Sequence, residues 1–575
     1  MTLEPLRARQ QCRATLAGLA LLALASGAFP PVARASSLIV PDQAPTIQAA
    51  IDAAVETVLV RPGVYPETLQ VGGRIALLGI PETSQARPTI AGMNIYDDYW
   101  GQPLRFQRLQ FDGPITAYSY PSSIDIGFVE CDLRGGITDR RTYLGSISTF
   151  SLFKCFLNGP LSLPGAYNVS IDSCQVLGSV LASAEDHVMT VTGCTFQGGG
   201  VHSDHYSSTC RVEGNTIRGG GFGIYAGGND AVVKNNIVED AVYEGVTVGD
   251  DGPVTVVNNV IRRCGSGISA SGEQVVVSDN LVEDCQAYGL VADYGSMTVV
   301  NNVIRRCARG ILVSAEQASV TGNTVIQAHE GLLVTHALQV DVIGNVFWMC
   351  VADGMKMGSN GTARVRQNTS CYNGLSGFAS VATLPGQEWV GNIGYGNQEY
   401  GIDWQSAAGA TIACNDWFVN RKGAWKGQAL AAGDITLDPE FCDVAGADLH
   451  LSADSPLLDW QSCGRIGALG AGCGPVGVVA DATPAAFALT RVGPIPTRGP
   501  MALELTLPRA AAIEVTVHDV QGRTVARLAG GEWSAGRHPI EWNGEGTRGR
   551  VPPGFYLIRY RYPGGEDSRR IVIAR

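Results

Sequence analysis

Apolar and polar positions along residues 128–417 follow a long frame that repeats, in place of a local helical period. Asn215, Asn236, Asn259, Asn280, Asn302, Asn323, Asn345, Asn368 and Asn392 mark it, at steps of 21 to 24 residues. Three places before them stand Val212, Val233, Val256, Val277, Val299, Val320, Val342 and Val365, then Trp389. Two places after them the residue is again apolar, as in Ile217, Val238, Ile261, Val282, Ile304 and Val325. Eight or nine places after them comes a glycine followed by an apolar residue, from "GI" at 223 to "GI" at 401. The frame extends back through Cys131, Cys155, Cys174 and Cys194 and forward to Asn415, fourteen turns in all. Self-similarity at such a period is the mark of a repeat architecture. Each turn holds three apolar patches that alternate over three to five residues, which is strand periodicity. Three strands per turn, stacked in register, predict an all-β, right-handed parallel β-helix whose turns hydrogen-bond to their neighbours. A leucine-rich repeat has a similar period, but its leucine pattern is missing.

The frame assigns positions as well as strands. Glu239/Asp240, Arg262/Arg263, Glu283/Asp284 and Arg305/Arg306 fall at one corner of successive turns, so unlike charges stack where like charges would repel. An inward asparagine must satisfy its amide, and a stack of them lets each donate to the next, which predicts a ladder. Cys264, Cys285, Cys307 and Cys350 stand five places after an asparagine and read as buried thiols, too far apart across turns for disulfides.

The ends and the composition bound the class. Residues 1–35 run from Arg7, Arg9 and Arg13 through "ATLAGLALLALASGAF" to "ARA", the layout of a secretory signal peptide. A secreted, extracellular or cell-surface location follows as an expectation, and an integral membrane protein is not expected. A net charge of −12 argues against nucleic acid as a partner. The 72 glycines with only 16% charged residues favour short strands and turns over helix bundles. Expected segments are a signal peptide at 1–35, a cap helix and first turns at 36–110, the β-helix at 111–475, a linker at 476–486 and a β-sandwich at 487–575.

The stretch "APTIQAAIDAAVETVLVRPGVYPETLQVGGRIALLGI" at 44–80 resembles the opening of pectate-lyase-like right-handed β-helix proteins. Its cap helix would turn Ile47, Ile51, Ala54 and Val55 inward. "CNDWFVNRKGAW" at 414–425 and "IGALGAGC" to 473 are similar to the closing turns of secreted bacterial members, so the resemblance spans 38 to about 475. Four cysteines there allow three pairings, of which closeness in sequence favours Cys463 with Cys473 and Cys414 with Cys442. "VHDVQGRTVARL", "GRHPIEWNG" and "VPPGFYLIRY" resemble the immunoglobulin-like domain of flagellar hook-capping proteins and type IX secretion sorting domains. That resemblance implies either surface attachment or a structural module.

In sugar-processing members of the superfamily the chemistry lies on the outer face of one sheet. The strand after each glycine–apolar pair is the candidate here. Its outward residues Tyr225, Tyr288, Arg309, Glu330, Tyr400 and Asp403 are the expected polysaccharide contacts, because rings stack on sugars and polar groups orient them. "ADGMKMGSN" at 352–360 resembles a lyase segment in which a lysine abstracts the proton α to a uronate carboxylate, implying Lys356 as base and Asp353 beside it. The paired aspartates of that class reduce here to Asp353 alone, so Ca²⁺ stays open and no cofactor or metal site is fixed. The "GHG" and "RIK" signatures of polygalacturonases are missing, "VHSDHY" at 201–206 reads as a loop, and "GDDGP" at 249–253 reads as a turn. Two functions are carried forward. One is a secreted or cell-surface polysaccharide-binding protein, with lyase or hydrolase activity undecided; the other is a non-catalytic adhesive scaffold.

Overall fold

The computed structural model describes residues 37–474 and 487–573. Within them it leaves out 82–85, 97–102, 119–123, 141–146, 184–186, 205–207, 250–251, 359–360, 382–385, 405–408, 427–428, 432, 493–500, 520, 534–535, 548 and 553. The expected signal peptide, the linker and the Asp250/Asp251 turn therefore lie outside the described residues. The chain divides into two units, Met1–Ala318 and Ser319–Arg575.

The first unit is a parallel β-solenoid. The helix Ile47–Asp52 opens it, with Thr46 Oγ1 accepting from Ala49 N at 3.0 Å and the Glu67 carboxylate accepting from Ile47 N and Gln48 N. Ile47, Ala50 and Val55 are buried. Ala54, expected inward, is instead exposed at φ 53°, because the helix ends at Asp52 and the chain turns there. Each later turn carries a longer strand and two shorter ones, and like strands pair in parallel. Val233, Val256, Val277 and Val299 are in register, as are Val238, Ile261, Val282 and Ile304, and Val246, Ile268, Leu290 and Ile311. All are essentially without solvent exposure, so the core is three stacked columns of β-branched and leucine side chains.

Two corners hold the turns together. At the inner one Asn215, Asn236, Asn259 and Asn280 each donate Nδ2 to the Oδ1 of the next asparagine, at 2.9–3.0 Å, and to a valine carbonyl of the preceding turn. Each Oδ1 also accepts the backbone N–H of the residue at the same place one turn earlier, Cys194 for Asn215 and an asparagine for Asn236, Asn259 and Asn280, so the side-chain amides are engaged without water. The residues just before the column, Asn235, Asn258, Asp279 and Asn301, have φ of 54–57°, the left-handed region that asparagine and aspartate tolerate best. In the earlier turns the thiols of Cys174 and Cys194 accept the same N–H at 3.3–3.4 Å, a weaker version of the same bond. The glycine of each glycine–apolar pair is set by close approach. A Cβ on Gly223, Gly245, Gly267 or Gly289 would lie 2.3–2.4 Å from the Val or Ile methyl below it.

In the second unit the same ladder runs from Asn345 through Asn368 and Asn392 to Asn415, whose Nδ2 donates to Asp434 Oδ1 at 3.0 Å. A carboxylate can only accept, so Asp434 ends the chain of donors, and its second oxygen takes Trp417 Nε1 at 2.8 Å. A second ladder, Asn373 to Asn397 to Asn420, occupies the place five residues on, where Cys350 stands one turn earlier. The core becomes aromatic near the end, where Phe378 meets Trp389 and Trp417 edge-on. A three-stranded sheet of Phe441–Asp443, Asp448–Ser452 and Ala471–Cys473 covers Ile393 and Cys371.

The disulfides are Cys414–Cys463 and Cys442–Cys473, not the pairs expected from closeness in sequence. Cys442 and Cys473 lie on the two strands flanking Asp448–Ser452, their Cα atoms 5.8 Å apart, so folding of the closing sheet chose the partners. The ten other described cysteines are buried and free, and burial pushes the Cys210 and Cys350 thiols up to about 12.

The described residues of 487–573 form two main antiparallel sheets and a short two-stranded ladder, Glu545–Gly546 with Gly549–Arg550. One holds Ala488–Val492, Met501–Leu507 and Gly536–Trp542, and the other Thr524–Trp533, Ala511–Asp519, Gly554–Tyr562 and Gly565–Ile573. Leu503, Leu505, Val515, Val517, Ile558 and Tyr560 make a core of its own between them.

Candidate functional site

In the first unit the strand after each glycine–apolar pair does present its intervening residue outward. Ile224 and Ala226 are fully buried, so Tyr225 between them faces out, and its register partner in the preceding turn is His202. Their rings stack at 4.5 Å with an interplanar angle of 15°. Phe222 adds an edge to Tyr225 at 6.1 Å, and Tyr243 packs on Phe222 at 5.2 Å. Phe222 is 38% exposed, Tyr243 57% and the neighbouring Val242 66%, so a four-ring patch with an aliphatic rim faces solvent. Monomeric proteins rarely leave such contiguous apolar surface uncovered without a partner for it.

His202 was expected in a loop. It lies in the strand Val201–Ser203, while His205 and Tyr206 lie outside the described residues. The signal was available, because "GV" at 200–201 is one more glycine–apolar pair, reached by a shorter corner of six residues after Cys194. Tyr243 had no such signal, since it stands in the corner ahead of its glycine.

Tyr288 and Arg309 are register partners one place before the glycine. The Arg309 guanidinium lies 5.0 Å from the Tyr288 ring centroid and donates to its hydroxyl, so the two hold each other.

In the second unit Lys356 faces outward, but its register partners are Leu333 and Ala379, with Asp403 a turn beyond Ala379. Asp353, expected outward beside it, is only 9% exposed and accepts the Ser376 N–H at 2.9 Å. Burial pushes its carboxyl above the usual range; Lys356 works against this, while Asp403 and Glu330 add to it. Ser376 Oγ in turn accepts the Tyr400 N–H. Asp403 takes Lys426 Nζ at 2.7 Å, and Tyr400 has the Lys422 ammonium 5.9 Å from its ring centroid. Asp353 thus fastens one turn to the next, and Asp403 is neutralised. These two carboxylates do not fit a Ca²⁺ site, which needs six to eight oxygens. Among the described residues no group of three or more His, Cys, Asp or Glu is placed to hold a metal ion.

Residues 178–325 match the family described as "Right handed beta helix region", and residues 496–563 match the one described as "FlgD Ig-like domain". With the parallel solenoid and the antiparallel sandwich, they define the class: an all-β protein made of a right-handed parallel β-helix and a C-terminal immunoglobulin-like domain. The crystal structure of tailspike protein 3 of bacteriophage CBA120 is similar over 73% of this chain and 69% of that one, at 11% identity and a TM-score of 0.27. That similarity is too low to bear on fold or function here. No curated protein matches the chain. Among the described residues no helix is long and apolar enough to cross a membrane.

Proposed function

We propose that this is a secreted or cell-surface protein that binds polysaccharide through the aromatic patch of the first unit. The observation that carries the reading is the exposed cluster His202, Tyr225, Phe222 and Tyr243. Sugar rings offer apolar C–H faces and hydroxyl edges, and an aromatic surface with polar tips suits both. Glu244 lies on the strand that follows Tyr243 and supplies a carboxylate at its edge.

Binding is favoured over catalysis. Lys356 has apolar register partners on both sides, and Asp353 is committed to a backbone N–H, so a base with a matching acid is not assembled. The sandwich at 487–575 serves as a surface-attachment module in this reading.

A glycan array probed with the full chain tests it. Tyr225→Ala should weaken retention of the bound glycan about fivefold or more, since one stacked ring contributes roughly 1 kcal/mol beyond its area. Phe222→Ala with Tyr243→Ala should remove it. Lys356→Ala should leave it unchanged. If no glycan on the array is retained, or the aromatic variants bind as the wild type does, the adhesive-scaffold reading replaces this one.

A further inference from the structure

Residues 199–249, which build the aromatic patch, hold three basic side chains against six acidic ones. Their placement sharpens the imbalance. Arg211 and Lys234 lie on Thr209–Glu213 and Asp230–Lys234, strands of the other solenoid sheet from the one that carries Tyr225. Arg218 shares the sheet of Tyr225 but is ion-paired with Glu239 at 3.1 Å. Within these turns, among the described residues, no uncompensated cation shares the sheet with the rings.

Two carboxylates flank the rings instead. Glu244 follows Tyr243 in the chain and stands one turn beyond Phe222, where Gly223 N donates to Glu244 O at 3.0 Å. Its register partner on the far side is the uncharged Ser266, and among the described residues no lysine or arginine pairs with its half-buried side chain. At the other flank Asp204 is exposed, and its Oδ2 lies 3.8 Å from His202 Nε2, beyond hydrogen-bond reach. A ring face attracts a cation through its quadrupole, and an unpaired carboxylate beside it adds to that attraction. The same arrangement opposes anions, because a uronate chain would bring its own carboxylates against Asp204 and Glu244. A neutral glycan would gain nothing from either.

We infer that the patch takes a glycan bearing cationic amines, an amino-sugar polymer in place of a neutral or uronate one. One charged nitrogen sits over Phe222 and Tyr243 beside Glu244, and Asp204 faces a further amine at the His202 end. The inference rests on the reading of the patch as a polysaccharide site and names the substrate class of that site. Residues 36–318 are acidic throughout, with 29 acidic residues against 17 basic ones, so attraction to the whole unit has to be separated from recognition at the patch.

Calorimetry on the full chain separates the two with β-1,4-linked oligomers of equal length. N-trimethylglucosamine oligomers are permanently cationic, N-acetylglucosamine oligomers are neutral, and oligogalacturonate is the anionic control. The trimethylated oligomer should bind about fivefold or more tighter than the acetylated one, and oligogalacturonate should not bind. Added salt should weaken the trimethylated oligomer and leave the acetylated one alone. Glu244→Gln should bring the ratio of the two affinities down towards one, and Asp204→Asn should lower it by a smaller factor. Glu273→Gln removes the same charge from an exposed corner elsewhere in the unit and should leave the ratio unchanged. Equal binding of the charged and neutral oligomers overturns the inference while the polysaccharide reading stands. So does a ratio that Glu273→Gln lowers as far as Glu244→Gln does, or a lysine-rich peptide that binds more tightly than any amino glycan. Retention of no oligomer, charged or neutral, removes the polysaccharide reading as well. Should Glu244→Gln fail to fold, the salt dependence and Asp204→Asn decide.

Discussion

Two polar columns run along the first unit with the same period and look equally regular in the sequence, yet one is inside and the other outside. The inner column is Asn215 to Asn302, at no more than 1% exposure. The outer one is Arg218, Glu239, Arg262, Glu283 and Arg305 in register, flanked by Asp240, Arg263, Asp284 and Arg306. Ion pairs link successive turns there, Arg263 to Asp240 at 2.7 Å, Arg262 to Glu283 at 3.0 Å and Arg306 to Asp284 at 2.7 Å. The geometry is alike, but water competes for every outer bond and for none of the inner ones. Regular spacing therefore marks both columns as structural, and burial decides how much each contributes.

The largest effect is expected of Asn280→Leu. It strands the N–H of Asn259, removes one of the acceptors of Asn259 Nδ2, and frees the carbonyl of Val256. Urea unfolding should show a loss of about 3 kcal/mol or more. A loss no larger than that of an outer-column variant would mean that burial does not set the difference.

The comparison extends to titration, with opposite signs inside and outside. Asp416 is fully buried, with Oδ1 accepting Leu437 N and Oδ2 unpartnered. Burial, with Asp438 and Asp434 adding to it, pushes its carboxyl up to about 8. A folded pKa above the unfolded value means that the folded state holds the proton more tightly. Its contribution is therefore present below about pH 4 and is lost as pH rises towards 8, at about 1.4 kcal/mol per pH unit. Asp416→Asn should flatten the stability–pH curve over that window in denaturation series. Outside, Arg263 holds the Asp240 carboxyl below its usual range, so that pair's contribution is present at neutral pH and lost on acidification. Equal slopes for wild type and Asp416→Asn would remove Asp416 from the account.

Cys174→Ala tests the weaker, sulfur-based form of the inner corner. It removes a thiol that accepts from the Cys155 N–H at 3.4 Å and donates to Asp172 O at 3.2 Å, both weak sulfur bonds, so it should cost about 1 kcal/mol, well short of the asparagine variant. The smallest effect belongs to Arg263→Ala, whose side chain is 48% exposed. It should shift the urea midpoint least of the four, and the shift should vanish in high salt. A larger, salt-insensitive loss would show that the outer column is a coupled network.

The turn frame, the asparagine ladder and the charge alternation were legible because they repeat many times, and one irregular corner cannot hide a pattern that its neighbours restate. The second ladder was less legible. Asn373, Asn397 and Asn420 occupy the site that cysteines hold earlier, and a change of residue type conceals a conserved position in the frame. His202 was missed because a shorter corner moved its glycine closer to Cys194. Asp353 was expected outward, like the other residues before a glycine, but its oxygen found the Ser376 N–H one turn on, which no local pattern reports.

The class of fold, the three-strand turn and the inward columns of valine, isoleucine and asparagine are already written in the sequence. Alternation and spacing are properties of the backbone, and they act over a handful of residues. Who meets whom across turns is settled only in the assembled stack. The disulfide partners, the burial of Asp353 and the stack of His202 on Tyr225 all depend on contacts between residues about 20 or more positions apart. Those contacts are set by corner lengths and by competition for hydrogen-bond partners in the assembled stack, and neither exists until the turns have closed on one another.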